Sequence, residues 1–149
     1  MNEWNAIELP DCVNLEIGAH LISPRRGYVH HGIYAGAASV VHYAGLSLTS
    51  ARHRFRYGPI EEVGIAEFAQ GHGVSWLPEP HARFQGEAVV RRARSRLGED
   101  RYRLLTNNCE HFCNWCLFDE HRSIQVERFL QARAVMRAGR VGKIEAALA

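Results

Sequence analysis

Tyr28-Val29-His30-His31-Gly32-Ile33-Tyr34-Ala35 is followed by Gly36-Ala37-Ala38 and then by Ser39-Val40-Val41-His42-Tyr43-Ala44. Two strand-length runs rich in β-branched and aromatic residues flank a stretch of small residues, which predicts a β-hairpin. A three-residue loop would pair Ala35 with Ser39 and Gly32 with His42. His30 would then lie diagonally across from His42 on one face, with Cα atoms roughly 7–8 Å apart, and Gly32 would leave open space there. A two-residue loop reverses the parity and brings His31 beside His42 instead. Spacing alone leaves both registers open.

Outward from the hairpin, residues 16–23 read as a short strand stopped by the turn cluster Ser23-Pro24-Arg25-Arg26-Gly27. Residues 52–57 alternate Arg52, Arg54 and Arg56 with His53, Phe55 and Tyr57, the period of a half-buried strand. Gly58-Pro59 is expected to break that strand, and residues 60–65 and 74–77 are further short strands. After Pro78 and Pro80 the period changes. Val89, Val90, Ala93 and Leu97 form one helical stripe, with Gly98 as its C′ residue. A second helix is expected at Asn107-Asn108, and a third after Ser123, running past Leu130 toward Arg140. Strands first and helices last predict an α+β fold with a mainly antiparallel sheet and about three helices. The whole chain, 1–149, reads as a single domain, with a lead-in arm over about 1–14 and a C-terminal helical extension over about 127–149.

A length of 149 residues fits one core. With 46% apolar and 23% charged residues the chain is typical of folded proteins, which excludes a disordered or low-complexity one. No apolar run approaches the roughly 20 residues of a membrane span, and no signal peptide is visible at the start. Residues 1–24 carry a charge of −4, from Glu3, Glu8, Asp11 and Glu16, and the remainder carries +6. A sequence pI of about 8.5 falls short of a nucleic-acid binder, so no nucleic-acid partner is expected. The charge supports a weak attraction to anionic surfaces. Of the four cysteines, Cys12, Cys109, Cys113 and Cys116, three fall close together, which points to free thiols in a reducing, cytoplasmic compartment.

The segment Thr106-Asn107-Asn108-Cys109-Glu110-His111-Phe112 carries the chemistry. Asn107 and Glu110 have capping-box spacing, and either Asn107 or Asn108 can accept from orphan N–H groups. Cys109 then lies in the first helical turn, where the dipole and free N–H groups favour a thiolate and lower its pKa from ~8.5 into the ~3.5–7.5 range. The same N–H groups, at Asn108 and Cys109, are candidate oxyanion donors. A buried structural cysteine is the alternative. Cys109, Cys113 and Cys116 also have the spacing of an iron–sulfur cluster triad. As a helix, however, positions 109, 112, 113 and 116 form one buried stripe in which cysteine packs as a small hydrophobe. A zinc set completed by His111 would require this segment to leave the helix.

Residues 28–34 with Val40-Val41-His42, together with Asn108-Cys109-Glu110-His111-Phe112, resemble the lecithin:retinol acyltransferase (LRAT) domain, a family that includes the H-Ras-like suppressor phospholipases and acyltransferases. The resemblance runs from about Gly18 to Val126. It implies a permuted papain-like fold with histidine before cysteine. By position it implies Cys109 as nucleophile, His30 as general base and His42 as the third polar member, and so selects His30 over His31. Glu110 and His111 read as helix-start and packing residues. The implied activity is a cysteine-dependent acyltransferase or lipid acyl hydrolase that works through a thioester on glycerophospholipid esters and needs no cofactor or metal. A thiol peptidase or amidase, and a non-catalytic binding module, are the alternatives. The implied partner is a lipid or other acyl ester. For Arg128–Arg140, packing on the domain is favoured over peripheral contact with an anionic membrane. For Gly64–Ala69, a core role is favoured over an acyl groove.

Overall fold

The computed structural model describes the backbone of residues 7–8, 14–49 and 54–148, and the side chains of residues 14–45 and 57–139. Most of the lead-in arm, including Cys12, and part of the alternating run at 52–53 lie outside the described residues. In chain order the elements are β1 (Ile7–Glu8), β2 (His20–Arg25), β3 (Tyr28–Gly36), β4 (Ser39–Thr49), β5 (Arg54–Gly64), α1 (Ile65–Ala69), β6 (Ser75–Leu77), α2 (Glu87–Ser95), α3 (Cys109–Phe118) and α4 (Ile124–Leu148). The strands form one sheet in the order β1-β6-β2-β3-β4-β5, every neighbouring pair antiparallel. This is the α+β arrangement the sequence implies, with α1 as an additional short helix.

The hairpin differs from the expected loop yet reaches the expected register. Gly36 pairs with Ser39, so the loop is the two residues Ala37 and Ala38, both at positive φ (47° and 57°). Positive φ at both central residues marks the I′ family of hairpin turns, whose twist matches that of the strands. Between Tyr34 and Gly36 a bulge shifts the register, and Ile33 then faces Val41. The bulge cancels the parity change of the shorter loop, leaving His30 and His42 on one face and His31 on the other.

Gly58-Pro59 does not end the strand. β4 and β5 keep one register from Ser39↔Gly64 to Thr49↔Arg54, with only the Ala44–Pro59 position missing from the ladder. Proline lacks an N–H and removes one rung, which an edge strand tolerates. Gly58 permits the approach, because a Cβ there would lie 2.6 Å from Ala44 Cβ. The outer edge is covered at Ile60, whose N–H donates to Glu99 O and whose O accepts from Gly98 N, both at 2.9 Å. Gly98 thus caps a sheet edge rather than terminating α2, whose C-cap is Arg96.

Each face of the sheet has its own core. Ile33, Val41, Tyr43 and Ile60 pack with Val89, Val90 and Ala93 of α2 and with Cys109, Phe112, Cys113 and Cys116 of α3. On the opposite face, Leu21 and Val40 pack with Phe68 of α1. Phe68 is fully buried, so the segment 64–69 serves the core as expected. It also occupies the space expected to be open at Gly32, where a Cβ would lie 2.8 Å from Phe68 Cε2. The helical extension departs from the sequence reading. Residues 124–127 are partly buried, but residues 128–139 are exposed throughout, so this part of α4 projects instead of packing on the domain. No helix among the described residues is long and apolar enough to cross a membrane.

Candidate active site

Asn108 sets where α3 begins. Its Oδ1 accepts from the N–H groups of Glu110 (3.0 Å) and His111 (3.1 Å), while its own N–H donates to His111 Nδ1 (3.2 Å). The capping box therefore joins Asn108 to His111, not Asn107 to Glu110. Burial lowers His111 to about 4, which keeps the ring neutral, and the donated Asn108 N–H makes Nδ1 its accepting nitrogen. Asn107 instead donates to Arg101 O at 2.9 Å and Glu99 Oε1 at 3.3 Å.

Cys109, the first residue of the helix, is buried. The backbone N–H groups of His31, Glu110 and Cys109 itself lie close enough to its sulfur to favour the thiolate. Burial outweighs them and pushes the thiol up to about 12, with the Glu110 carboxylate adding to the rise. The expected low thiol pKa is thus not that of the resting site, where desolvation disfavours the charged form more than N–H groups favour it. Cys113 and Cys116 lie deeper on the same stripe; burial raises Cys113 well above the ordinary thiol value and Cys116 to about 12.

His31 can reach the sulfur because the β3–β4 ladder opens. Its rungs end at Ile33↔Val41, and from Tyr28 to Gly32 β3 pairs with β2 alone. Backbone groups alternate sides along a strand. Tyr34 turns its N–H and O toward Ala19 and Gly18, whereas Val29 turns both to the Gln125 carboxamide, at 2.8 and 3.1 Å. The N–H of His31 faces the same open side as that of Val29 and meets Cys109.

His30 and His42 are brought together on the α1 face. His30 Nε2 and His42 Nδ1 are 2.7 Å apart, and His42 Nε2 lies 3.2 Å from Glu61 Oε1. Phe68 walls both rings, with centroids 5.2 and 5.5 Å away. Burial, and then the neighbouring His42, lowers His30 well below the usual histidine value. Burial likewise lowers His42 to about 4. Both rings are therefore neutral at pH 7. The sulfur abuts β3 one residue after His30, and among the described residues no hydrogen bond joins it to the His30 ring.

The sequence reading missed several neighbours. Arg25 of β2 donates to Ser23 Oγ and Phe68 O and interacts electrostatically with Cys109 and Tyr28. Glu61 is the carboxylate behind His42. Tyr28, Tyr57, Tyr102, Leu104 and Phe129 line a cleft of about 380 Å³ that opens onto Asn108 and Cys109. Tyr28 and Tyr57 were visible only as strand residues, and Phe68 beside Arg25 and His42 beside Glu61 are remote in the chain. Among the described residues no group of three or more His, Cys, Asp or Glu is arranged to hold a metal ion.

Comparison with known proteins covers the same part of the chain. The family model described as lecithin retinol acyltransferase matches residues 13–122. The lecithin retinol acyltransferase of Rattus norvegicus is 34% identical over 127 residues, covering 70% of this chain and 55% of that protein. Its Homo sapiens counterpart is 32% identical over 130 residues, 72% of this chain and 56% of that protein. The chain thus spans about half the length of the curated relatives it matches. The match to the family model takes in the whole of β2 to α3, and on that ground the chain belongs to the lecithin retinol acyltransferase family.

Proposed function

We propose that this protein is a cysteine-dependent acyltransferase or lipid acyl hydrolase acting on glycerophospholipid esters. The observation that carries the proposal is the meeting, at the opened β3–β4 edge, of a helix-start cysteine with a strand that presents a neutral, hydrogen-bonded histidine pair. His30 is the base. Its Nε2 is engaged by His42, which leaves Nδ1 to take the proton of Cys109 as the sulfur attacks an ester carbonyl. The tetrahedral intermediate collapses to a thioester, and the alcohol departs with the proton from His30. A second nucleophile, an amine, an alcohol or water, gives its proton to His30 and takes the acyl group, restoring the thiol. His42, backed by Glu61, orients the His30 ring and stabilises its protonated form. The N–H groups around Cys109 stabilise developing negative charge.

The resting protonation supports this order of events. A buried thiol that rests protonated must lose its proton during attack, so a general base is needed rather than a standing ion pair. The cleft supports an acyl substrate, because its lining is mostly apolar and aromatic and includes Cys109. Leu104 and Phe129, both exposed at this cleft, with Arg26 beside them, support peripheral contact with an anionic lipid surface.

Intact-mass analysis after incubation with a diacyl phospholipid tests the reading. A single acyl adduct, absent in Cys109→Ala, is the expected result. No adduct, with amine release from peptide-like substrates, would replace ester chemistry with amide cleavage; neither product would favour a binding module.

A further inference from the structure

A chain of polar side chains, with two buried histidines at its centre, lies on the sheet face opposite the His30 ring, and these side chains take no part in the steps above. Glu79 Oε1 is 2.9 Å from His20 Nδ1, His20 Nε2 is 2.8 Å from His31 Nδ1, and His31 Nε2 is 3.2 Å from Gln125 Nε2. His20 and His31 are 2% and 0% exposed. Hydrogen-bond polarity fixes the tautomers, because a carboxylate only accepts and an amide nitrogen only donates. His20 donates from Nδ1 to Glu79 and accepts at Nε2. His31 donates from Nδ1 and presents Nε2 to Gln125.

Gln125 delivers this order to the reacting sulfur. Its carboxamide replaces a missing strand along β3, accepting from Val29 N–H and donating to Val29 O. Its backbone N–H and its Nε2 also reach Glu110 Oε2, at 3.1 and 3.3 Å, in the first turn of α3. One side chain thereby ties the free edge of β3 to the helix turn that carries Cys109. Two residues beyond Val29, on the same edge, the N–H of His31 meets the sulfur. A fold that needed only packing here would fill the space with apolar groups, since a buried polar chain is worth its desolvation only when every member is satisfied.

We propose that Glu79, His20, His31 and Gln125 are positioning residues for the nucleophile: the chain holds the β3 edge so that the His31 N–H donates to the Cys109 sulfur as charge develops there. The proposal rests on Cys109 being the nucleophile, but its test needs no turnover. The charged or titratable groups facing the sulfur are Arg25, Tyr28, Tyr102, Glu110 and Cys113, and the variants below leave all five in place.

The experiment measures the second-order rate of Cys109 alkylation by iodoacetamide between pH 7 and 9, resolved by peptide mass spectrometry, in the full chain. Losing one donor to a sulfur anion lowers that rate about tenfold at each pH. We expect this in His20→Leu and in Gln125→Met, with recovery in His20→Gln, which can still donate to Glu79 and accept from His31. A purely structural role loosens the site and leaves the rate unchanged or faster, and that result would overturn the proposal. Should His20→Leu fail to fold, Gln125→Met, at the partly buried start of α4, decides alone. Absence of an acyl adduct in the parent protein would count against the ester chemistry while leaving the alkylation result standing.

Discussion

Three cysteines on one helical stripe differ in what they can do. Cys109 opens onto the cleft with backbone N–H groups near its sulfur, whereas Cys113 and Cys116 are enclosed by the α2–α3 core. Cys109→Ala should abolish acyl-adduct formation. Cys113→Ala and Cys116→Ala should each cost about 1–2 kcal/mol of stability in urea, the effect of a small buried group lost from a packed core, and should retain the adduct. Equal loss of adduct in all three, at unchanged stability, would defeat the one-nucleophile model. His30→Ala should slow adduct formation by about 10²- to 10⁴-fold, the contribution of a general base. Glu61→Gln should change it by only a few-fold, because its carboxylate is 42% exposed and solvent screens it. The residues legible in the sequence, Cys109, His30 and His42, carry distinctive chemistry in a compact pattern. Arg25 and Gln125 were not legible, since Arg25 sits in an ordinary turn cluster and the bonds of Gln125 to Val29 span 96 positions.

Among the elements, the hairpin shows what local pattern can and cannot reveal. Strand-forming runs were plain from β-branched and aromatic content, and so was the bend. The loop length and the bulge were not, because two compensating irregularities reach the same register as the regular three-residue loop. At β5 the opposite happened: a Gly-Pro pair that locally reads as a break is carried through by the long ladder with β4. The tight turn leaves a detectable cost. Ala37 and Ala38 both sit at positive φ, where a Cβ is disfavoured by roughly 1–2 kcal/mol per residue. The double substitution Ala37→Asn with Ala38→Gly introduces the pair best suited to this turn. It should stabilise the fold by about 1 kcal/mol and raise its melting temperature by about 2–4 °C. Calorimetry tests this. A lower melting temperature would mean that the turn is not of the I′ family. Adduct formation should be unaffected, since the loop lies far along β3 from His30.

For the molecule as a whole, neutral buried histidines on both sheet faces set how it responds to acid. Burial, then the adjacent histidine, lowers His30 and His31 well below 6.5, and burial lowers His42 to about 4. The unfolded chain binds protons at these positions from about pH 6.5 downward, while the native protein does not. Stability is therefore full above pH 6.5 and falls as the pH drops toward each folded value. His42 alone, at 1.36 kcal/mol per unit, accounts for about 3 kcal/mol lost by pH 4. His30 and His31 add to that, and a net stability of about 5–15 kcal/mol leaves little margin. The carboxylates held down by arginine, Glu62 by Arg94 and Glu99 by Arg96, lose their contribution only below the ordinary carboxylate value of 4.5, so above pH 4.5 the fall belongs to the histidines. Urea midpoints at pH 7.5, 6.5, 5.5 and 4.5 should fall steadily below 6.5, and His42→Asn, which cannot titrate, should flatten the slope. A flat profile to pH 4.5 would show that these rings take up protons in the native state. In that case His30 could not be the neutral base that the chemistry requires.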